Sequence, residues 1–257
     1  MRFRCFWPGL SLGALLLGAH ALSYAQTRLS GDHFLSPQLQ AMQQDQDVNP
    51  VTLWVEKGQT LWRNNCQRCH QAPETLSRAA AEHPRLVSRN NHARLVNLED
   101  QINSCRQRIG QQPKGLEDDD TLSLSALLHS VGKGEKINPR PPAESVGVQR
   151  WQDELGQGAA LYATRLGRLN LACTHCHDGK VGAQLRAEVV SPGHPTGFPI
   201  YRLNWQTMGS IDRRLRACYS GVQATLPAPG SPALRQLELF LKVRASGMPL
   251  DGPAIRR

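Results

Sequence analysis

Apolar positions recur at helical rather than strand spacing along most of this 257-residue chain. Trp54, Gly58, Leu61 and Trp62 predict a helix from Val51 to Asn65. The stretch Gly58-Gln59-Thr60-Leu61-Trp62 is echoed by Gly158-Ala159-Ala160-Leu161-Tyr162, which marks an internal repeat. Leu98 to Arg108 reads as a helix. Leu122, Leu124, Leu127 and Leu128 predict another from Thr121 to Val131, behind an acidic start at Asp118-Asp119-Asp120. Ile211 to Ser220 is also helical in pattern. Pro232 to Ser246 is the most regular amphipathic stretch, with Leu234, Leu237, Leu239, Phe240, Leu241 and Val243. Polar or breaker-rich segments separate these. Residues 26–50 read as a loosely packed lead-in, and His83 to Arg94 as irregular. Residues 132–142, with three prolines, read as a linker. The loop Pro192 to Gly197 precedes a short extended segment at Phe198 to Arg202, and Pro227 to Ser231 is a turn.

The predicted architecture is therefore mainly α, in two tandem domains: residues 51–131 and residues 143–257, joined by the linker at 132–142 and preceded by the extension at 26–50. Residues 1–25 are of another kind. Arg2 and Arg4 precede an apolar run from Leu10 to Leu22, and Ser23-Tyr24-Ala25 is a small-x-small cleavage site. That is a secretory signal peptide, its apolar run too short and glycine-rich to span a membrane comfortably. Cleavage removes Cys5 and leaves six cysteines, with no membrane span after cleavage. The net charge of +9 accompanies no dense basic run and no nucleic-acid motif, so it suits an anionic small substrate or an acidic protein partner better than nucleic acid.

The cysteines carry the chemistry. Cys66-Gln67-Arg68-Cys69-His70 and Cys173-Thr174-His175-Cys176-His177 are two Cys-x-x-Cys-His pentapeptides. Each puts two thiols within reach of the two vinyl groups of a haem and supplies a proximal histidine for its iron. Two covalently bound haem c groups are expected, with His70 and His177 as proximal ligands. Each half then reads as a cytochrome c-like domain: helix, haem motif, loop, cysteine-bearing helix, closing helix. Zinc is the poorer reading, because the pairs lie about a hundred residues apart and each is followed by histidine. A thioredoxin-type pair lacks its βαβ surroundings. Haem attachment in bacteria is completed outside the cytoplasm, so the leader and the motifs agree on a periplasmic protein.

The sixth ligands are open between several residues. Met208, Met248, His83, His92, His129 and His194 are candidates by type. Cys105 lies 39 residues after Cys66, and Cys218 lies 45 after Cys173, so the two occupy equivalent places in the repeat. Equivalent distal ligands would show that pattern; a Cys105–Cys218 disulfide, permitted in an oxidising compartment, competes with it. Arg214 precedes Cys218 by four residues and so shares its helix face. A guanidinium there favours thiolate and offers a donor fork to a sulfur oxyanion. A solvated basic face is the plainer alternative.

Further residues carry a family resemblance. They are Asn49-Pro50 with Trp54-Val55-Glu56 and Gly58, both haem motifs, Phe198-Pro199 with Tyr201-Arg202 and Trp205, Arg213-Arg214 with Cys218, and Leu237-Glu238-Leu239-Phe240-Leu241 with Arg244 and Gly247. Over essentially the whole mature length the chain resembles the A subunit of the SoxAX cytochromes, the thiosulfate-oxidising L-cysteine S-thiosulfotransferases, in their dihaem form. The resemblance implies that haem 1 is held by Cys66 and Cys69 with axial His70 and Cys105, and haem 2 by Cys173 and Cys176 with axial His177 and Cys218. It implies Cys218 as the active-site residue, carried as a persulfide, and Arg214 as the substrate-binding residue. Thiosulfate would be coupled oxidatively to a cysteine of a SoxYZ carrier protein, with a monohaem SoxX cytochrome as partner. Gln223-Ala224-Thr225 departs from the Arg-Ala-Glu common in the family. Two other functions compete: a thiosulfate dehydrogenase forming tetrathionate, and a plain dihaem electron carrier, which needs no arginine beside Cys218.

Overall fold

The computed structural model describes residues 28–89 and 92–257, and the leader expected over residues 1–25 lies outside them. Two helix pairs make the frame. Helix α2 (Val51–Leu61) packs along α5 (Asp119–Val131), and α6 (Ser145–Ala163) packs along α9 (Pro232–Arg244). Each pair crosses at a glycine. A Cβ on Gly58 would lie 2.3 Å from the Ser123 carbonyl oxygen, and one on Gly158 would lie 2.1 Å from that of Gln236. Neither distance is sterically possible, so only glycine allows the backbones this close. Ser123 and Gln236 are each the fifth residue of their helix.

Capping chemistry sets where the helices begin. Ser36, Asn97, Asp118 and Ser210 accept backbone N–H bonds at the starts of α1 (Pro37–Gln44), α4 (Leu98–Arg108), α5 and α8 (Ile211–Gly221). Pro37 and Pro232 occupy first-turn positions, where the missing N–H costs nothing. The helices read from periodicity all form, with ends shifted by a residue or two, except that the one expected to reach Asn65 ends its regular α-turns at Leu61 and continues as a wider turn.

Three segments differ from their sequence reading. The stretch read as irregular holds α3 (Ala79–Glu82) and an antiparallel hairpin of β1 (Arg85–Arg89) and β2 (His92–Val96). Its Leu86–Leu95 cross-strand pair packs on Trp151 and Leu239. Polar neighbours hide this single apolar pair from a periodicity reading. The lead-in is not loose. Leu39 and Met42 of α1 pack with Val51, Leu122, Met208 and Ile255, while Arg28 donates to the carbonyls of Arg244 (2.7 Å) and Ser246 (2.6 Å). Residues 132–142 are packed as well. Ile137 is fully buried and donates its N–H to the Met248 carbonyl (2.9 Å), Gly134 donates to Leu250 (2.8 Å), and Leu250 and Gly247 donate back to Glu135 and Ile137. The prolines follow Asn138 and leave this ladder intact.

The two halves also meet through buried charge. Arg235 of α9 grips Asp100 of α4 with Nε (2.6 Å) and Nη2 (3.1 Å), and Asn97 donates to Glu238 (3.1 Å). Burial raises Glu238 to about 8, above the usual carboxylate range, and raises Glu99 as well. Short strands complete the second half. Strands β3 (Gln184–Leu185) and β4 (Glu188–Val189) form a small hairpin. Strand β5 (Ile200–Arg202) lies between antiparallel β6 (Thr207–Gly209) and parallel β7 (Ala254–Arg256).

The crossings yield a test. Gly58→Ala or Gly158→Ala should each cost about 1–3 kcal/mol by overpacking, against a helix-propensity gain of about 1 kcal/mol. Gly156→Ala, on α6 with open space around its Cα, should be neutral or stabilising. Thermal unfolding of the three holoprotein variants checks the contrast.

Candidate haem and sulfur site

The first motif continues directly from α2. The helix widens at Trp62–Cys66, and the N–H groups of Cys69 and His70 both bond to the Cys66 carbonyl at 2.9 Å. This holds the two thiols and the imidazole on one tight turn. Trp62 is buried, and its ring lies 5.7 Å from that of His70. Burial raises the Cys66 thiol, and nearby Cys105 raises it further. Cys105 therefore sits beside the first motif.

The second motif is itself a helical turn, α7 (Cys173–His177), fixed between α6 and α9. Tyr162 donates to Asp178 (3.0 Å), Arg244 donates to the same carboxylate (2.7 Å), and the Arg244 guanidinium lies 4.6 Å from the Tyr162 ring centroid. Tyr162 and Trp62 are the aromatic residues of the sequence echo, and each stands beside its motif. The ring of His177 is held by its Nδ1, 2.7 Å from the Ser191 carbonyl. Gly193 lets the loop approach, since a Cβ there would stand 3.0 Å from that nitrogen and its φ of +74° suits glycine. Nε2 is left as the free nitrogen, the second-layer arrangement that orients a metal-binding histidine. His177 favours the ionised form of Cys218. Burial pushes Cys173 up to about 11, with Cys218 the next cause.

Helices α4 and α8 place the remaining cysteines identically. Each has eleven residues, with its cysteine at the eighth position. The residue four places earlier differs. Gln101 Nε2 donates to Cys105 Sγ at 3.5 Å, whereas Arg214 acts on Cys218 with a full positive charge. Burial opposes ionisation of Cys218, but Arg214, His177 and Arg202 outweigh it and hold the thiol below its ordinary value. The other arginines of α8 are engaged elsewhere. Arg213 stacks 4.2 Å from the Trp205 ring centroid, and Arg216 donates to the Pro227 carbonyl (3.1 Å). Sequence reading did not assign site roles to Arg202, Glu188, Ser191 or Gln101. Only Gln101 had a direct signal, its i−4 spacing from Cys105.

All six described cysteines are free, so Cys105 and Cys218 are not disulfide-linked. The other candidate ligands are engaged in packing and backbone bonds. Met208 and Met248 are buried in apolar clusters. His83 and His129 are buried, with Nδ1 at 2.7 and 2.9 Å from the carbonyls of Ala79 and Ser125, and His194 Nδ1 lies 2.9 Å from the Leu29 carbonyl. The side chain of His92 lies outside the described residues.

Two thiols and an imidazole on one turn are the donor set that a covalent haem requires, and a further thiol beside them could serve as a sixth ligand. The fold and motifs define a c-type cytochrome, which carries covalently bound haem c. The model of the SoxA/TsdA cytochrome c domain matches residues 52–137. Similar proteins are the "L-cysteine S-thiosulfotransferase subunit SoxA" of Pseudaminobacter salicylatoxidans, 30% identical over 89% of this chain and 81% of that protein, and that of Paracoccus pantotrophus, 28% identical over 90% and 79%. The chain also superposes on the crystal structure of SoxXA from P. pantotrophus with a TM-score of 0.80 and 27% identity, covering 90% of this chain and 87% of that one. The chain belongs to the SoxA family of L-cysteine S-thiosulfotransferase subunits. No helix among the described residues is long and apolar enough to cross a membrane.

Burial lowers His83 to about 4 and His129 to about 3, so both fold neutral. A base with a depressed folded pKa stabilises fully above its unfolded pKa near 6.5 and loses that contribution as pH falls towards the folded value. The stability advantage of wild type over His129→Gln should therefore shrink between pH 6 and pH 4 by about 1.4 kcal/mol per unit. Denaturant melts at stepped pH check this.

Proposed function

We propose that this chain is a periplasmic dihaem SoxA subunit that couples thiosulfate to a cysteine of a SoxYZ-type carrier, with Cys218 as the reactive thiol. The observation that carries the reading is α8 packed on the second motif, Leu215 and Tyr219 clustering with Cys173, with Arg214 one turn before Cys218 on that helix. The matched geometry of the two halves supports two tandem cytochrome c-like domains, residues 51–131 and 143–257. Cys66, Cys69, His70 and Cys105 would hold haem 1; Cys173, Cys176, His177 and Cys218 would hold haem 2. The similar crystal structure from P. pantotrophus is one of SoxXA, which supports a SoxX-like monohaem partner.

The coupling balances as carrier-SH plus S2O3(2−) giving carrier-S-S-SO3(−), one proton and two electrons. The haems supply the acceptor for those electrons. The protein supplies the rest. Arg214 holds the oxyanion and keeps Cys218 in its nucleophilic form. The Ser191 carbonyl fixes the His177 tautomer, and Tyr162, Asp178 and Arg244 hold the motif turn rigid. At Cys105 the neutral Gln101 provides no anion-binding charge, so haem 1 is assigned to electron transfer.

Intact mass of the exported protein should show two covalent haems plus one extra sulfur on Cys218. Cys218→Ala should keep both haems, lose transfer and lose one thiolate-ligated low-spin signal in electron paramagnetic resonance. Retained transfer would move the site elsewhere. Arg214→Gln should raise the KM for thiosulfate about tenfold or more, the loss of a charge-assisted bond.

A further inference from the structure

Beside Arg214 stands a second guanidinium, and a carboxylate joins the two. Arg202 lies on β5 with its side chain only 5% exposed. Its Nε donates to the Arg257 carbonyl (2.7 Å), and its guanidinium lies 5.0 Å from the Trp205 ring centroid. These contacts fix the head group and leave Nη2 to the Glu188 carboxylate. Glu188 reaches in from β4. One of its oxygens pairs with Arg202 Nη2, and the other lies 3.7 Å from Arg214 Nη2. Each oxygen thus takes one guanidinium, as two oxygens of a sulfonate would.

We propose that Arg202 and Arg214 form a two-guanidinium seat for the sulfonate end of thiosulfate, and that Glu188 fills this seat in the resting protein until the substrate displaces it. This rests on the reading of Cys218 as the reactive thiol.

Charge favours the exchange. Two arginines with one carboxylate carry a net charge of +1; without it they carry +2, the complement of a divalent anion. The seat is unevenly built for the purpose. Arg202 is buried and held on two sides, whereas the Arg214 and Glu188 side chains are 33% and 38% exposed. Glu188 sits on a hairpin of two residues per strand, closed by Arg186 with φ at +55°. So short a hairpin offers little resistance to movement. When the carboxylate turns out to water, Arg202 keeps its bond to the Arg257 carbonyl and its place over Trp205, and the incoming dianion replaces the charge that its buried guanidinium loses. The opposite role, a carboxylate that must stay to aim Arg214, predicts the opposite change on its removal.

The test is Glu188→Gln in the haem-loaded protein, with thiosulfate binding measured by calorimetry and turnover measured with carrier. Kd and KM for thiosulfate should both fall at least about threefold, because the substrate no longer competes with a carboxylate for the buried Arg202. The kcat should not fall with them, and sulfate should become a stronger competitor. Glu188→Asp, which keeps the charge, should stay near wild type. An unchanged or weaker Kd in Glu188→Gln overturns the proposal. The same comparison in a Cys218→Ala background separates the two readings. A persisting Kd difference upholds the seat whatever Cys218 does, whereas turnover retained in Cys218→Ala removes the thiol assignment alone.

Discussion

The close crossing of two helix pairs sets every distance that matters here. Gly58 meets the backbone of Ser123, and Gly158 meets that of Gln236, at separations no side chain would tolerate. The first helix of one pair runs directly into its Cys-x-x-Cys-His turn, while in the other pair α6 ends at Ala163 and its Tyr162 reaches the turn through Asp178. A wider crossing would carry Cys66 away from Cys105, and Cys173 away from Cys218. The aromatic residue four positions after each glycine then closes one side of the motif, as tryptophan in one half and tyrosine in the other.

On this common frame the two thiol helices differ by one side chain of consequence. The cap, the length and the cysteine position agree between α4 and α8, while Gln101 and Arg214 do not. An amide offers one weak contact to sulfur. A guanidinium changes the charge of the whole neighbourhood, and Arg202 doubles the effect. At the second thiol helix the added guanidiniums make a field that draws anions.

Much of this was legible in the sequence because it is local. A helix face shows itself in the spacing of leucines, a haem motif is five consecutive residues, and an arginine four places before a cysteine shares its face. What was not legible depends on distant partners. Glu188 reads as an ordinary hairpin acid until β5 brings Arg202 beneath it. The Leu86–Leu95 pair is invisible as a strand signal without Trp151 and Leu239. Residues 132–142 look like a linker by composition, yet Ile137 finds a slot between Ala81 and Met248 that only the folded chain creates.

That packed connector has a mechanical consequence. A segment bonded on both edges cannot act as a hinge, and Arg235, Asp100, Asn97 and Glu238 lock the halves together further along. The molecule is therefore one cooperative unit rather than two beads on a string, and the two Cys-x-x-Cys-His turns are held at a fixed separation. Any movement would come from small surface parts such as the β3–β4 hairpin rather than from a swing of one half against the other.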